Sequence, residues 1–183
     1  MGRLLALTAA AMLLARCREA ADEPSRNQAN APPDDAAATP ASYPDSISTT
    51  PVDRETALRL MDERHENMEE IGDSMKRITR ELKDAEPDLA RVREEAATVA
   101  GLAPQIPSWF PAGSGPDVGE TEALAEIWRK PDDFAAKAQA MEEAALAFQA
   151  AAQGTDLAAI RAAQGGLGKS CKACHDLYRA KDE

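Results

Sequence analysis

A Cys171-Lys172-Ala173-Cys174-His175 run lies close to the C-terminus, in a stretch whose apolar residues recur every three or four positions. It constrains the fold more than any other feature, because one helix must satisfy both its chemistry and its period. Two cysteines three apart share a helix face, and His175 sits one turn beyond Cys171. C-x-x-C-H is the attachment sequence of a c-type haem: the two thiols add across vinyl groups as thioethers, and the imidazole coordinates the iron. Rival chemistries fit less well. A redox dithiol of this spacing usually accompanies a βαβ pattern, and no segment here alternates like a strand. A tetrahedral zinc site needs a fourth ligand, and the only other histidine is His65.

The surrounding pattern predicts an all-α fold. The chain is 44% hydrophobic but only 4% aromatic, with much of the apolar content alanine; that is a helical composition with a thin core. A buried porphyrin would supply the missing bulk. Thr50-Pro51-Val52-Asp53 reads as a helix start, with Thr50 as N-cap and Pro51 at the first position. Met61, Arg64, Met68, Ile71, Met75, Ile78 and Leu82 then form one seam. Asp84 is placed to cap a second helix with Ala85, Leu89, Val92, Ala96 and Val99 inside. Residues 103–119, rich in proline and glycine, predict a long loop, and a short helical segment is expected near Ala123 to Trp128. Lys130-Pro131 opens a third long helix with a seam of Phe134, Ala138, Met141, Ala145, Phe148 and Ala152. Gly154 ends it and Thr155 caps the last, whose stripe runs Leu157, Ile160, Gln164, Leu167, Cys171, Cys174, Tyr178. The expectation is an antiparallel four-helix bundle over residues 52–183, with haem c on the interior stripe of its last helix.

The N-terminal residues read differently. Residues 1–17 form an export signal, with Arg3 followed by an apolar run from Leu4 to Ala15 that is too short to span a bilayer. Cys17 resembles the lipidated cysteine of a bacterial lipoprotein, although Arg16 stands where a small residue is expected; ordinary signal cleavage nearby is the alternative. Residues 18–51 predict a disordered Pro/Ala-rich linker, either a tether or a passive spacer. Export agrees with the haem motif, since bacteria attach c-type haem outside the cytoplasm, and the expected location is the periplasm. The formal charge of −11 argues against nucleic acid as a partner and favours a redox partner with a basic docking face.

Around the iron, His175 is the proximal ligand by adjacency. Arg179 lies one turn further, either near the proximal haem face or paired with Glu183 or Asp176. Gly165, Gly166 and Gly168 each cost a helix about 1 kcal/mol against alanine; close approach by the porphyrin or by another helix would explain them, and so would a break. Candidates for the sixth position lie on the first helix: Met61, Met68 and Met75, with His65 beside the stripe. A thioether there would ligate the iron and raise its potential; otherwise the methionines are core.

The run Gly168-x-x-Cys171-Lys172-Ala173-Cys174-His175-Asp176-Leu177-Tyr178-Arg179 resembles the cytochrome c′ family, whose haem motif sits in the last of four helices. Thr121 to Trp128, Phe134, the Pro107 to Gly115 loop and the Arg64, Met68, Ile71-Gly72, Met75 spacing resemble it too. The resemblance covers about residues 52–181. It implies a periplasmic haem protein, often a homodimer through its first two helices, with Arg64, Met68 and Arg179 at the cofactor. It also implies two types, distinguished by the distal residue. In one, a methionine from the first helix ligates a low-spin iron and the role is electron transfer. In the other, the iron is five-coordinate and binds NO or CO, and the distal side chain only shields it. Met68 is compatible with both. A haem enzyme such as a peroxidase fits less well, because no histidine stands clearly poised over the iron unless His65 swings in.

Overall fold

A computed structural model describes residues 47–181. The expected export signal with Cys17, and the expected linker up to residue 46, lie outside the described residues. The helices are α1 (Arg54–Glu81), α2 (Leu89–Leu102), α3 (Glu126–Arg129), α4 (Pro131–Ala152) and α5 (Leu157–Tyr178), with a 3₁₀ segment at Ala103–Trp109. The described residues contain no strand, only an isolated bridge between Ala123 and Arg179. The four long helices form the expected bundle. None of the described helices is long and apolar enough to cross a membrane.

Three helix starts differ from the expected caps. Asp53, not Thr50, begins α1: its carboxylate accepts from the Thr56 backbone N–H at 3.0 Å and from the Thr56 hydroxyl at 2.8 Å. The preceding residues are used elsewhere, since the Val52 N–H donates to Ala112 O and the Ala112 N–H to Ser48 O. Ile47, the first of the described residues, is buried. Asp88, not Asp84, caps α2, and Asp156, not Thr155, caps α5, each accepting two backbone N–H groups. Ala85 consequently lies before α2 and is exposed.

The core follows the stripes. All six expected residues of α4, from Phe134 to Ala152, are buried. Small alanines there allow close contact with α2 on one side and α5 on the other. The proline-rich stretch is less of a loop than expected: its 3₁₀ turn buries Ile106, Pro107 and Trp109. Beyond it Phe110 packs edge-on against Phe134, which meets Tyr178 in the same way.

Neighbouring helices run in the order α1, α2, α4, α5, and no Cα of α1 lies within 8 Å of one in α5. The bundle is therefore open along the α1–α5 seam. It closes at one end through long side chains. Arg161 of α5 donates to Leu82 O at 2.9 Å, and Gln164 donates to the Thr79 hydroxyl at 3.1 Å.

Candidate functional site

The open seam is where the chemistry-bearing residues gather. On α5 the stripe buries Ile160, Leu167 and Tyr178, yet Cys171 and Cys174 stay half-buried against the core. Their surroundings still desolvate the thiols: burial raises both, and Cys174 is pushed up to about 11 with the Cys171 thiol adding to the shift. The helix is unbroken through Gly165, Gly166 and Gly168, and a Cβ at any of them would meet nothing within 4 Å. Neither a break nor a neighbouring helix accounts for these glycines. Gly165 and Gly166 are exposed, and Gly168 is half-buried with open space beside it.

His175 is exposed at the C-terminal end of α5. Desolvation of its ring and then the Arg179 cation hold its pKa below the usual histidine value, favouring the neutral imidazole that can ligate a metal. Arg179 itself donates from Nε to Glu122 at 2.7 Å, and the Ala180 N–H donates to Glu122 O at 2.7 Å. Asp176, one of the acids expected to pair with Arg179, is bonded by Lys172. The surface pairing expected of Arg179 thus takes a different form, with Glu122 of the segment before α3 as an acid partner.

The contacts at the closed end fix the register of α1 against α5. Arg161 meets Leu82, and three residues on, Gln164 meets Thr79, three residues back. The helices are antiparallel, and continuing the pairing puts Met75 level with Gly168 and Met68 level with His175. Both methionines are half-buried and packed against the core, whereas Ile71 and Ile78 on the same stripe are fully buried. Met61 is elsewhere. It is buried, and its Cε would lie 3.1 Å from a Cβ on Gly119, so it packs under the 115–121 segment. His65 points to solvent, with Nε2 3.6 Å from Glu69 and two-thirds of its side chain exposed.

Arg64 is buried at 4% exposure. Its guanidinium donates to Ser114 O at 2.9 Å, to the Ser114 hydroxyl at 3.3 Å and to the Thr121 hydroxyl at 2.8 Å. It also lies over the rings of Phe110 and Trp128, 5.0 and 5.7 Å from their centroids. Burial lowers its pKa to about 10, and the groups that accept from it are one carbonyl and two hydroxyls, not carboxylates. Those neutral partners, far away in sequence, carried no periodic signal.

The sequence profile described as Cytochrome C′ matches residues 59–179. The chain belongs to the cytochrome c′ family. Cytochrome c-554 of Cereibacter sphaeroides is 44% identical over 129 residues, covering 68% of this chain and 82% of that protein. The structure of cytochrome c prime from Shewanella frigidimarina superposes with a TM-score of 0.63 at 35% identity, covering 68% of this chain and 97% of that one. A nitric oxide complex of a cytochrome c prime variant from Alcaligenes xylosoxidans gives 0.58 at 30% identity, covering 72% and 98%. The cofactor of a cytochrome c′ is haem c with its iron. The residues present fit that group: two half-buried thiols, an imidazole level with a thioether, and an unfilled seam between their helices.

One further pair escaped the sequence reading. Tyr178 was expected only to pack, and its hydroxyl also donates to Asp133 on α4. Burial first, then that carboxylate, raises the tyrosine above its usual value. The only signal was that α4 starts with two aspartates, where its N-terminus favours acids.

Proposed function

We propose that this cytochrome c′ is a periplasmic electron carrier, with haem c bound as thioethers to Cys171 and Cys174, His175 as proximal ligand and Met68 in the sixth position. When bound, the haem supplies a one-electron iron couple. The chain's residues do the rest. The stripe of α5 orients the thiols into the seam, and the lowered pKa keeps the His175 imidazole available as a ligand. Met68 arrives level with it on α1, while Arg64, fixed to the 110–121 segment, sets the position of α1 one turn away. Arg64 is also a buried cation bonded to the neutral acceptors of Ser114 and Thr121, suited to a haem carboxylate. Arg179 lies close enough to His175 to influence it electrostatically.

The observation that carries this reading is the level match of Met68 with His175, together with the placement of Met61 under Gly119. A thioether ligand in a desolvated seam favours the reduced state and raises the potential. A carrier also agrees with the exposure of His65, whose imidazole lies beside Glu69 at the surface.

A second reading has its own support. A nitric oxide complex has been solved for a variant of a relative that is 30% identical and is matched over 98% of its length. In that reading Met68 is a gate on a five-coordinate iron that binds NO or CO. Optical spectra of the ferric and ferrous protein, with and without CO, decide. A low-spin spectrum that resists CO and becomes high-spin in Met68→Ala supports electron transfer. A high-spin wild-type spectrum that shifts with CO refutes it in favour of gas binding.

The same proposal includes a homodimer through α1 and α2, where Leu58 is the large apolar residue left exposed on α1. Size-exclusion chromatography of the purified protein at several concentrations tests this. Export to the periplasm and lipid attachment at Cys17 complete the proposal; membrane fractionation of Cys17→Ala tests the attachment.

A further inference from the structure

The chain is strongly acidic, yet its charge is unevenly placed around the open seam. Between Lys76 and Lys83 the sequence reads KRITRELK. The helix sorts these residues by face. Arg77 turns to Glu95 of α2 at 2.6 Å and to Glu70, and Glu81 is bonded by Arg91 of α2. Acid and base are thus matched on the α2 side. Lys76, Arg80 and Lys83, spaced four and three apart, fall on another face. There they line a shallow open groove of about 430 Å³ with Met75 and Thr79.

Lys76 has one partner, Asp73 at 2.8 Å, with three-quarters of its side chain exposed. Arg80 and Lys83 have no ion pair among the described residues. Complementing the helix dipole explains cations in the last turn, which accounts for Arg80 alone. It does not explain Lys76, just over one turn before Arg80, or the groove the three share. The groove has a place in the fold too. Thr79 is bonded by Gln164 of α5, and Met75 is level with Gly168, one turn before Cys171. The cations therefore border the seam that would hold the cofactor.

We propose that Lys76, Arg80 and Lys83, around the Met75–Thr79 groove, form the docking face for an acidic redox protein. This rests on the electron-transfer reading and reverses the polarity expected from total charge. Summed charge governs approach at long range. At physiological salt, exposed charges more than about 8 Å away are largely screened, so the local sign decides the contact. A partially apolar floor rimmed by cations suits carboxylates set around a small apolar patch.

The test uses the haem-loaded protein and hexacyanochromate(III), a redox-inert paramagnetic anion, with amide line broadening read by NMR. Broadening should centre on residues 75–83 and weaken as salt is added. It should disappear there in both the charge-reversed variant K76E/R80E/K83E and the neutral variant K76Q/R80Q/K83Q, with helix content checked by circular dichroism. The reduced protein should also reduce hexacyanoferrate(III) to hexacyanoferrate(II) more slowly as salt rises, with the rate lowered about tenfold in the charge-reversed variant. Broadening centred on another surface, or unchanged broadening in the neutral variant, overturns the proposal. So does a rate that rises with salt in the wild type. The salt dependence and the wild-type-to-variant comparison are read against the same haem in either spin state, so failure of the docking face is separable from failure of Met68 ligation.

Discussion

Arg64→Met is the most searching single test of how α1 is held over the site. The thioether roughly preserves the apolar stem, so the change removes the charge, the fork of donors and the ring stacking without opening a large cavity. Two of the three acceptors keep other partners: the Ser114 hydroxyl still donates to Pro111 O at 2.8 Å, and the Thr121 hydroxyl still accepts from the Ala123 N–H at 3.1 Å. The Ser114 carbonyl loses its guanidinium donor in a buried position, at about 1–3 kcal/mol. The contacts over Phe110 and Trp128 add about 1–2 kcal/mol. Against this, the variant no longer buries a cation with neutral partners, which returns about 1–2 kcal/mol. The net expectation is a loss of about 2 kcal/mol, or about 8 °C in Tm for a bundle of this size. Thermal unfolding of the ferric protein by far-UV circular dichroism measures it. Arg64→Lys keeps the charge but cannot span Ser114 and Thr121 together, so it should lose about as much. A lysine variant as stable as the wild type would show that charge alone matters, and would refute the geometric account.

Other expectations can be checked in parallel. Cys171→Ala with Cys174→Ala should abolish covalent haem; a normal haem content after acid–acetone extraction would remove the basis of the cofactor assignment. Phe148→Ala deletes a ring with no exposure from the α4 stripe and should cost about 3–5 kcal/mol by urea unfolding. The Tyr178–Asp133 bond raises the phenol and lowers the carboxyl, so its stabilisation should be complete between their ordinary values of 3.8 and 10.0. It should fade as pH falls below the first, where Asp133 takes up a proton, and as pH rises above the second, where the unfolded phenol ionises earlier. Urea midpoints of Tyr178→Phe should therefore vary less with pH than wild type at both ends, and parallel curves would refute the linkage.

Much of this arrangement is legible in the residues because helix burial is periodic. The α4 stripe from Phe134 to Ala152 is all buried, and α5 spans Leu157–Tyr178 as its stripe implies. Helix starts are less legible, because several side chains compete to cap. Thr50 and Asp53, Asp84 and Asp88, Thr155 and Asp156 are all competent, and the winner depends on where the chain turns. For α1 that turn is set by Val52 and Ser48 bonding to Ala112. The same limit hides the partners of Arg64. Its place on the seam shows that it is interior, but Ser114 and Thr121 lie 50 and 57 residues away on an aperiodic segment.

The open seam ties composition to function. A chain with 4% aromatic residues places four of them in one region, where Phe110, Trp128, Phe134 and Tyr178 form a continuous set of ring contacts. Elsewhere alanines bring α2, α4 and α5 together, and α1 reaches the rest chiefly through α2 and the 3₁₀ segment. Among the described residues no comparable ring set lies between α1 and α5, where methionines and cysteines stay half-buried. Leucines there would close the seam and raise the stability of the empty protein, but exclude a flat cofactor. Leaving the seam open makes stability depend on what occupies it, since a group bound only by the folded state adds its binding free energy to folding. A thioether-linked haem cannot dissociate on unfolding, so its contribution comes from the contacts it regains in the seam. The same opening that weakens the α1–α5 interface therefore gives the cofactor its hold on the fold.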